Sequence, residues 1–299
     1  MLAAKLLRKK FLLKVVGDYA WEQYQVGGAP FIAPELFQKF KKRKFSLITE
    51  IRIFVERFVA RQADEVIVPS GYLKNIVSMW GVPLFKKNII EERIMVISNS
   101  FEPPKIVFTK EEVQKELGLD GKIIFSAGRL VPWKGFVTLI EIMKDEAQAK
   151  LLIAGDGPDR KKLETMIDDL KLQDRVVLLG NLARAEVLKY LRASDLFVLN
   201  TGYEGFSHQI LEALAMGCPI ITTRVGGNTD IIADEKNGLL VNYNDKLALK
   251  TGIARLFNDD VLRERLADNG LHGDYAADRF TKERMINWLE GVLKLLPLS

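Results

Sequence analysis

From residue 122 to residue 241 short apolar runs alternate with longer amphipathic segments, and no other feature constrains the fold as much. The runs 122–126, 150–154, 175–179, 196–199 and 219–223 have the length and composition of buried strands. The segments 133–144, 158–170, 184–193 and 207–216 carry apolar residues at helical spacing. Strands that alternate with helices cannot pair as tight hairpins. They form a parallel sheet with helices on both faces. In such sheets ligands bind beyond the C-terminal strand ends. The chemistry is therefore expected in the loops after Ser126, Ala154, Leu179, Leu199 and Thr223.

The first hundred residues are less regular. The reading is a helix over 2–8, a strand over 11–16, then Gly17-Asp18-Tyr19-Ala20-Trp21-Glu22 and a Gly- and Pro-rich loop to about Pro34. Next comes an amphipathic helix over 46–63, with Leu47, Ile48, Ile51, Phe54, Val55, Phe58 and Val59 on its apolar face. A strand at 65–68, a helix over 72–80 and a strand over 94–97 follow. The punctuation of 99–104 (Asn-Ser-Phe-Glu-Pro-Pro) reads as a linker. With 299 residues there is enough chain for two cores. The predicted division is 1–104, 105–280 and a final helix within 281–299.

Charge is unevenly placed. The net charge is +5, yet Lys5, Arg8, Lys9, Lys10 and the run from Lys41 to Lys44 all fall in the first fifty residues. Such clusters suit an anionic membrane surface, and a solvated face would read the same way. No nucleic-acid partner is expected. No apolar run reaches the roughly 20 residues that span a bilayer. The single cysteine, Cys218, excludes an internal disulfide and reads as a small buried residue. The expected location is cytoplasmic, with the basic segments suited to peripheral contact at the inner face of the membrane.

The loops carry the chemistry. After the first strand of the alternating half come Gly128, Arg129 and Lys134. A planar fork and a point charge five residues apart could clamp a diphosphate, as two solvated surface cations could also be spaced. Gly155-Asp156-Gly157-Pro158 lacks the G-x-G-x-x-G pattern, which disfavours a nicotinamide dehydrogenase; its glycines could serve only close backbone approach. Gly180 and Asn181 end the next strand and could present backbone groups to a nucleobase. Then come Glu204-Gly205-Phe206-Ser207-His208 and, inside the following helix, Glu212. A helix N-terminus there offers unpaired N–H groups to an anion. Glu212 lies among Ile210, Leu211, Ala213 and Leu214, so its carboxylate needs a partner, for which sugar or ribose hydroxyls would serve. Ser207 and Glu212 would stand about 7.5 Å apart along a regular helix. Gly226 and Gly227 follow the last of the five strands and expose backbone N–H groups.

Taken together these residues resemble the retaining glycosyltransferases of family 4, which have the GT-B architecture. The marks are Gly128-Arg129-Leu130 with Lys134-Gly135, Gly155-Asp156-Gly157-Pro158, Glu204-Gly205-Phe206 with Glu212-Ala213, Ala215-Met216-Gly217-Cys218-Pro219, and Gly226-Gly227. The resemblance implies an α/β chain of two Rossmann-like domains with parallel sheets, the N-terminal one incomplete. It implies that Arg129 and Lys134 bind the donor diphosphate, that Glu204 meets the transferred sugar, and that Glu212 meets the ribose hydroxyls. It also implies a last helix that crosses back to the N-terminal domain. Many members carry a histidine where this chain has Gly17-Asp18, so Asp18 is the nearest polar candidate for that position.

The expected activity is transfer of a sugar from a UDP- or GDP-linked donor to a hydroxyl of a glycan or lipid-linked acceptor, with retention at the anomeric carbon. The catalytic candidates are Glu204, Arg129, Lys134 and Asp18. The donor-binding candidates are Gly128, Gly155, Gly180, Asn181, Gly205, Phe206, Ser207, His208, Glu212, Gly226 and Gly227. No cofactor is expected, because the nucleotide diphosphate sugar is a substrate. No metal is expected either: the chain has no Asp-x-Asp pair, and Arg129, Lys134 and helix N–H groups would carry the leaving-group charge. Alternatives are a nucleotide-sugar-binding module without full transferase activity and a GT-B sugar epimerase.

Overall fold

The computed structural model of the chain describes residues 7, 9–39, 45–81, 93–102, 108–146, 148–272 and 280–295. The expected helix over 2–8, the run from Lys41 to Lys44 and the prolines of the linker lie almost wholly outside the described residues. Two compact units emerge. Unit 1 comprises Met1–Asn99, Tyr203–Phe206 and Met285–Ser299, and unit 2 comprises Ser100–Gly202 and Ser207–Arg284. Among the described residues no helix is long and apolar enough to cross a membrane.

Unit 2 is built on a six-stranded parallel sheet. Its strands are β4 (Lys122–Ala127), β5 (Ala149–Ala154), β6 (Val176–Gly180), β7 (Leu196–Leu199), β8 (Ile220–Thr223) and β9 (Leu239–Val241), in the order β6-β5-β4-β7-β8-β9. The chain winds outward from β4 in one direction and from β7 in the other. The point of reversal therefore lies between β4 and β7, where open α/β sheets bind ligands. The central strands are buried on both faces, as all-parallel sheets require. One carboxylate locks that centre: Asp195, just before β7, accepts from Ile123 N of β4 at 2.7 Å and from Lys110 Nζ. The core gathers Ile124, Leu151, Ile153, Leu196, Val198 and Ile221 from the strands with Leu139, Leu163, Ile253 and Leu266 from the helices. Thr109 and Glu112 close a capping box on the Lys110–Leu117 helix.

The helix predicted over 133–144 is in fact a 3₁₀ turn, Pro132–Lys134, followed by an α-helix, Phe136–Ile142. Gly135 separates them at φ +60°. A Cβ there would lie 2.3 Å from the carbonyl oxygen of Asn200, so the break follows from close contact with the end of β7.

Unit 1 contains a three-stranded parallel sheet, β1 (Leu12–Lys14), β2 (Glu65–Val68) and β3 (Ile94–Val96), in sequence order. Val15, Val66, Val68, Leu73, Ile76 and Trp80 form its core. A helix, Tyr19–Val26, runs into the stretch read as a loop, and a second, Pro34–Lys39, begins where that stretch ends. The first lacks a clear apolar period. It is held by its N-cap, Asp18, and by Trp21, which is fully buried and donates from Nε1 to Ile32 O at 2.7 Å.

The Leu47–Gln62 helix forms where the apolar period places it, but its orientation is reversed. Its buried residues are Thr49 and Ala60, whereas Leu47 and Phe54 are 74% and 67% exposed. The apolar stripe faces outward.

Candidate functional site

In unit 2 the loops after β4, β5 and β6 and the helix after β7 open onto one cleft of about 460 Å³. Gly128, Arg129, Gly155, Asn181, His208 and Glu212 line it. These candidates are dispersed over 85 positions of sequence, and the parallel winding brings them to one end of the sheet. Arg129, Asn181 and His208 are exposed at the rim, and the Glu212 side chain is only 12% exposed.

The floor of the cleft is backbone packed on backbone. Gly128 N donates to Ala154 O at 3.0 Å, Gly155 N to Gly180 O at 2.7 Å, and Leu130 N to Asp156 O at 2.9 Å. Gly155 has φ +130°, and a Cβ on it would lie 2.0 Å from Gly128 O. A Cβ on Gly157 would lie 2.4 Å from Leu130 O. Both glycines are thus required by the protein's own packing, and Gly155 also lines the cleft. Lys134 lies close by: Cδ and Cε of its stem would be 3.7 Å from a Cβ on Gly128.

Asn200, at the end of β7, holds this arrangement in place. It is fully buried, and its Nδ2 donates to Gly135 O at 3.1 Å and to Asn244 Oδ1 at 2.9 Å. Its Oδ1 accepts from Asn244 N at 3.0 Å. Thr201 Oγ1 donates to Trp133 O. The turn that carries Lys134 is therefore anchored to the tip of β7.

The partner of Glu212 comes from the protein. Arg184, the first residue of the Arg184–Ala193 helix, places Nε 2.8 Å from Glu212 Oε1. Its guanidinium lies 5.5 Å from the centroid of the Phe101 ring and donates to Glu102 O at 3.3 Å. This cation, three positions beyond Asn181, is a functional residue that the sequence reasoning missed. Its place at the first turn of the helix after a strand end was the available signal.

Ser207 caps the His208–Ala215 helix. It is buried, and its hydroxyl accepts from Ile210 N at 3.3 Å. Gly226, at φ +59°, and Gly227 lead into a short helix, Asn228–Ile231, which the sequence reading lacks. Buried Asn228 ties it to β8 by donating to Thr222 Oγ1 at 3.0 Å. Neither glycine lines the cleft. Cys218 is buried as expected, and burial pushes its thiol up to about 12.

Glu204, Gly205 and Phe206 belong to unit 1. Gly205 is there a packing residue: a Cβ would lie 2.6 Å from Val16 O and 2.9 Å from Leu73 Cδ1. Asp18, a catalytic candidate from sequence, is fully enclosed in unit 1. Its Oδ1 accepts from Trp21 N at 2.9 Å and its Oδ2 from Gln38 Nε2 at 2.5 Å, and its own N–H donates to Tyr203 Oη at 3.0 Å. Both carboxylate oxygens are thus engaged by the protein. Burial raises its pKa to about 6. Burial and then the charge of Asp18 raise that of Glu56 to about 8.

Residues 107–272 match the family described as glycosyl transferases group 1. Over 151 residues the chain is 36% identical to the lipopolysaccharide core biosynthesis glycosyltransferase LpsD of Rhizobium meliloti, an alignment that covers 50% of this chain and 43% of that protein. Over 236 residues it is 30% identical to an uncharacterized glycosyltransferase of Methanocaldococcus jannaschii, covering 74% and 59% of the two. The chain spans about half the length of the curated relatives it matches. In fold it is similar to HepE of Anabaena, solved in complex with UDP and glucose, with a TM-score of 0.80 and 22% identity over 98% of this chain and 74% of that one. That likeness shows the GT-B fold.

Proposed function

Because the chain belongs to the glycosyl transferases group 1 family, we propose that it moves a sugar from a nucleotide diphosphate sugar to a hydroxyl acceptor with retention of anomeric configuration. The observation that carries the reading is the unit 2 cleft, which gathers Arg129, Asn181, His208 and Glu212 at the reversal point of a parallel sheet. Its volume is in the range of small-molecule sites. UDP in the HepE structure supports a nucleotide donor, and the name of LpsD supports a glycan or lipid-linked acceptor.

In this reading Arg129 and Lys134 stabilise the departing diphosphate. Charge develops on that group as its bond to the anomeric carbon breaks, and fixed cations need no reorganisation to meet it. The N-terminus of the His208–Ala215 helix adds N–H groups. Glu212, with Arg184 holding one oxygen, offers its other acceptor sites to the ribose hydroxyls. Glu204 is assigned to the transferred sugar. Asp18 acts as a positioning residue that caps a helix and braces Tyr203. With two cations on the diphosphate, the reaction needs no divalent metal. A cytoplasmic enzyme that meets a membrane-borne acceptor fits the basic N-terminal segments.

The test is a thermal-shift screen over UDP- and GDP-sugars, followed by transfer assays with glycan and glycolipid acceptors. A donor that binds the folded chain raises its melting temperature. Transfer that needs an acceptor separates this reading from an epimerase, which would convert the donor alone. The anomeric proton coupling of the product reports retention or inversion. Complete loss of transfer in EDTA, restored by a divalent metal, would overturn metal independence.

A further inference from the structure

The turn that carries Lys134 has little to hold its shape from within. It is three residues of 3₁₀ helix, a form with poor hydrogen-bond geometry, and it ends at Gly135. Its carbonyls are held from outside instead. Trp133 O accepts from Gly202 N at 2.7 Å and from Thr201 Oγ1 at 3.3 Å, both just beyond β7. Gly135 O accepts from Asn200 Nδ2. Pro132 O accepts from Tyr243 Oη at 3.1 Å, across 111 positions of sequence. Lys134 is thus tethered through Pro132, through Trp133 before it and through Gly135 after it.

Tyr243 and Asn244 lie in the turn after β9, at the edge of the sheet. Neither lines the cleft. The turn is firm, because the next residue, Asp245, caps the Lys246–Asn258 helix by accepting from Ala248 N at 3.0 Å. Asn244 adopts φ +59°, a left-handed conformation that asparagine tolerates. Its Oδ1 accepts from Asn200 Nδ2 and, at 2.8 Å, from Thr138 Oγ1 on the helix that follows Gly135. Its N–H donates to Asn200 Oδ1. These bonds fix which way the buried Asn200 amide points. A flipped amide would set its oxygen against Gly135 O and its NH₂ against the Asn244 N–H. Burial raises the pKa of Tyr243, so its phenol remains a donor through the neutral range.

We propose that Tyr243 and Asn244 are positioning residues for sugar transfer. Acting through Pro132 and Asn200, they hold the 132–135 turn so that Lys134 is presented to the diphosphate. This role rests on the diphosphate contact of Lys134 in the proposed function, and it names the element that sets the place of that cation. A lysine is a point charge on a flexible stem, so the stand of its backbone decides how well it meets a phosphate. Stabilising a charge as it develops requires that the cation be in place beforehand.

The test is the preference of the 299-residue chain for UDP over UMP, read by calorimetry as the ratio of the two dissociation constants, with GDP and GMP as the second pair. Lys134→Ala should cut that ratio about tenfold or more, because a charged partner of the diphosphate is lost. Tyr243→Phe should cut it about threefold or more. Asn244→Gly, which accepts the same φ without the amide, should do likewise. UMP affinity should stay at the wild-type value in both. Asn244→Asp keeps the accepting oxygen and should keep the ratio. On a Lys134→Ala background Tyr243→Phe should have no further effect. Tyr243→Phe and Asn244→Gly with a wild-type ratio would overturn the proposal and leave the donor reading standing. So would equal weakening of UMP and UDP, the mark of a merely structural role, or a ratio that still falls without Lys134. A wild-type chain that binds neither UDP nor GDP would overturn the donor reading and the positioning role together. A Lys134→Ala variant with an unchanged ratio would remove Lys134 from the diphosphate and the positioning role with it.

Discussion

Arg184 Nε stands 2.8 Å from Glu212 Oε1, and the pair joins the helix after β6 to the helix after β7 across the cleft. Glu212 would otherwise be a charge among apolar neighbours. The pair is half open to water on the Arg184 side, which is 55% exposed, so it adds below about 1 kcal/mol to stability. Its larger effect should fall on the ligand. Glu212→Ala should weaken UDP binding about tenfold or more, by removing hydrogen bonds from a charged acceptor. Isothermal titration calorimetry checks this, and an unchanged affinity would remove Glu212 from the donor site.

Arg129→Ala and Lys134→Ala should each lower kcat/KM by roughly 2–4 kcal/mol of transition-state stabilisation. Arg129 is exposed at the rim of the cleft, so its loss should leave the melting temperature almost unchanged. Turnover equal to wild type in both variants would refute the diphosphate clamp.

Gly155→Ala should be severely destabilising. Its Cβ would stand 2.0 Å from Gly128 O at a φ of +130°, so the strain cannot be relieved by a side-chain rotation. A loss of about 2–3 kcal/mol or more is expected, or roughly 5–10 °C in melting temperature for a unit of this size. Circular dichroism melts measure it. A variant as stable as wild type would mean that the floor of the cleft can shift.

Unit 1 should lose stability as pH rises. Burial lifts Glu56 from 4.5 to about 8 and Asp18 from 3.8 to about 6, so the folded state holds protons that the unfolded chain has released. That contribution is complete below about pH 4 and disappears as pH passes through about 6 to 8. Glu56→Gln, neutral at every pH, should flatten the decline. Thermal unfolding from pH 5 to pH 9 tests the sign, and stability that climbs over this range in the wild type would contradict it.

Much of unit 2 is legible in sequence because its signals are local. Buried parallel strands read as short apolar runs, and their order along the chain dictates a sheet with its ligand site at one end. Arg129, Asn181, His208 and Glu212 could therefore be placed together before any contact was known. Arg184 could not be paired with Glu212 in the same way. An ion pair between residues 28 positions apart depends on which side chains the two helices turn toward each other. The break at Gly135 was hidden for a similar reason, since it answers a carbonyl 65 residues away.

Unit 1 shows the limit more sharply. The apolar period at Leu47, Ile51, Phe54 and Phe58 correctly announces a helix, because periodicity records what one face shares. It carries no record of what that face meets. Asp18 reads as a polar residue after a strand, and only the fold shows it enclosed, capping Trp21 and touching Tyr203 from 185 positions away. Sequence by itself determined the central strands of unit 2 and the loops that bear the chemistry, since these depend on neighbours within a few residues. Tertiary structure alone decided which carboxylate faces the cleft, which is sealed as a brace, and which way the amphipathic helix turns, because burial is a property of the assembled chain.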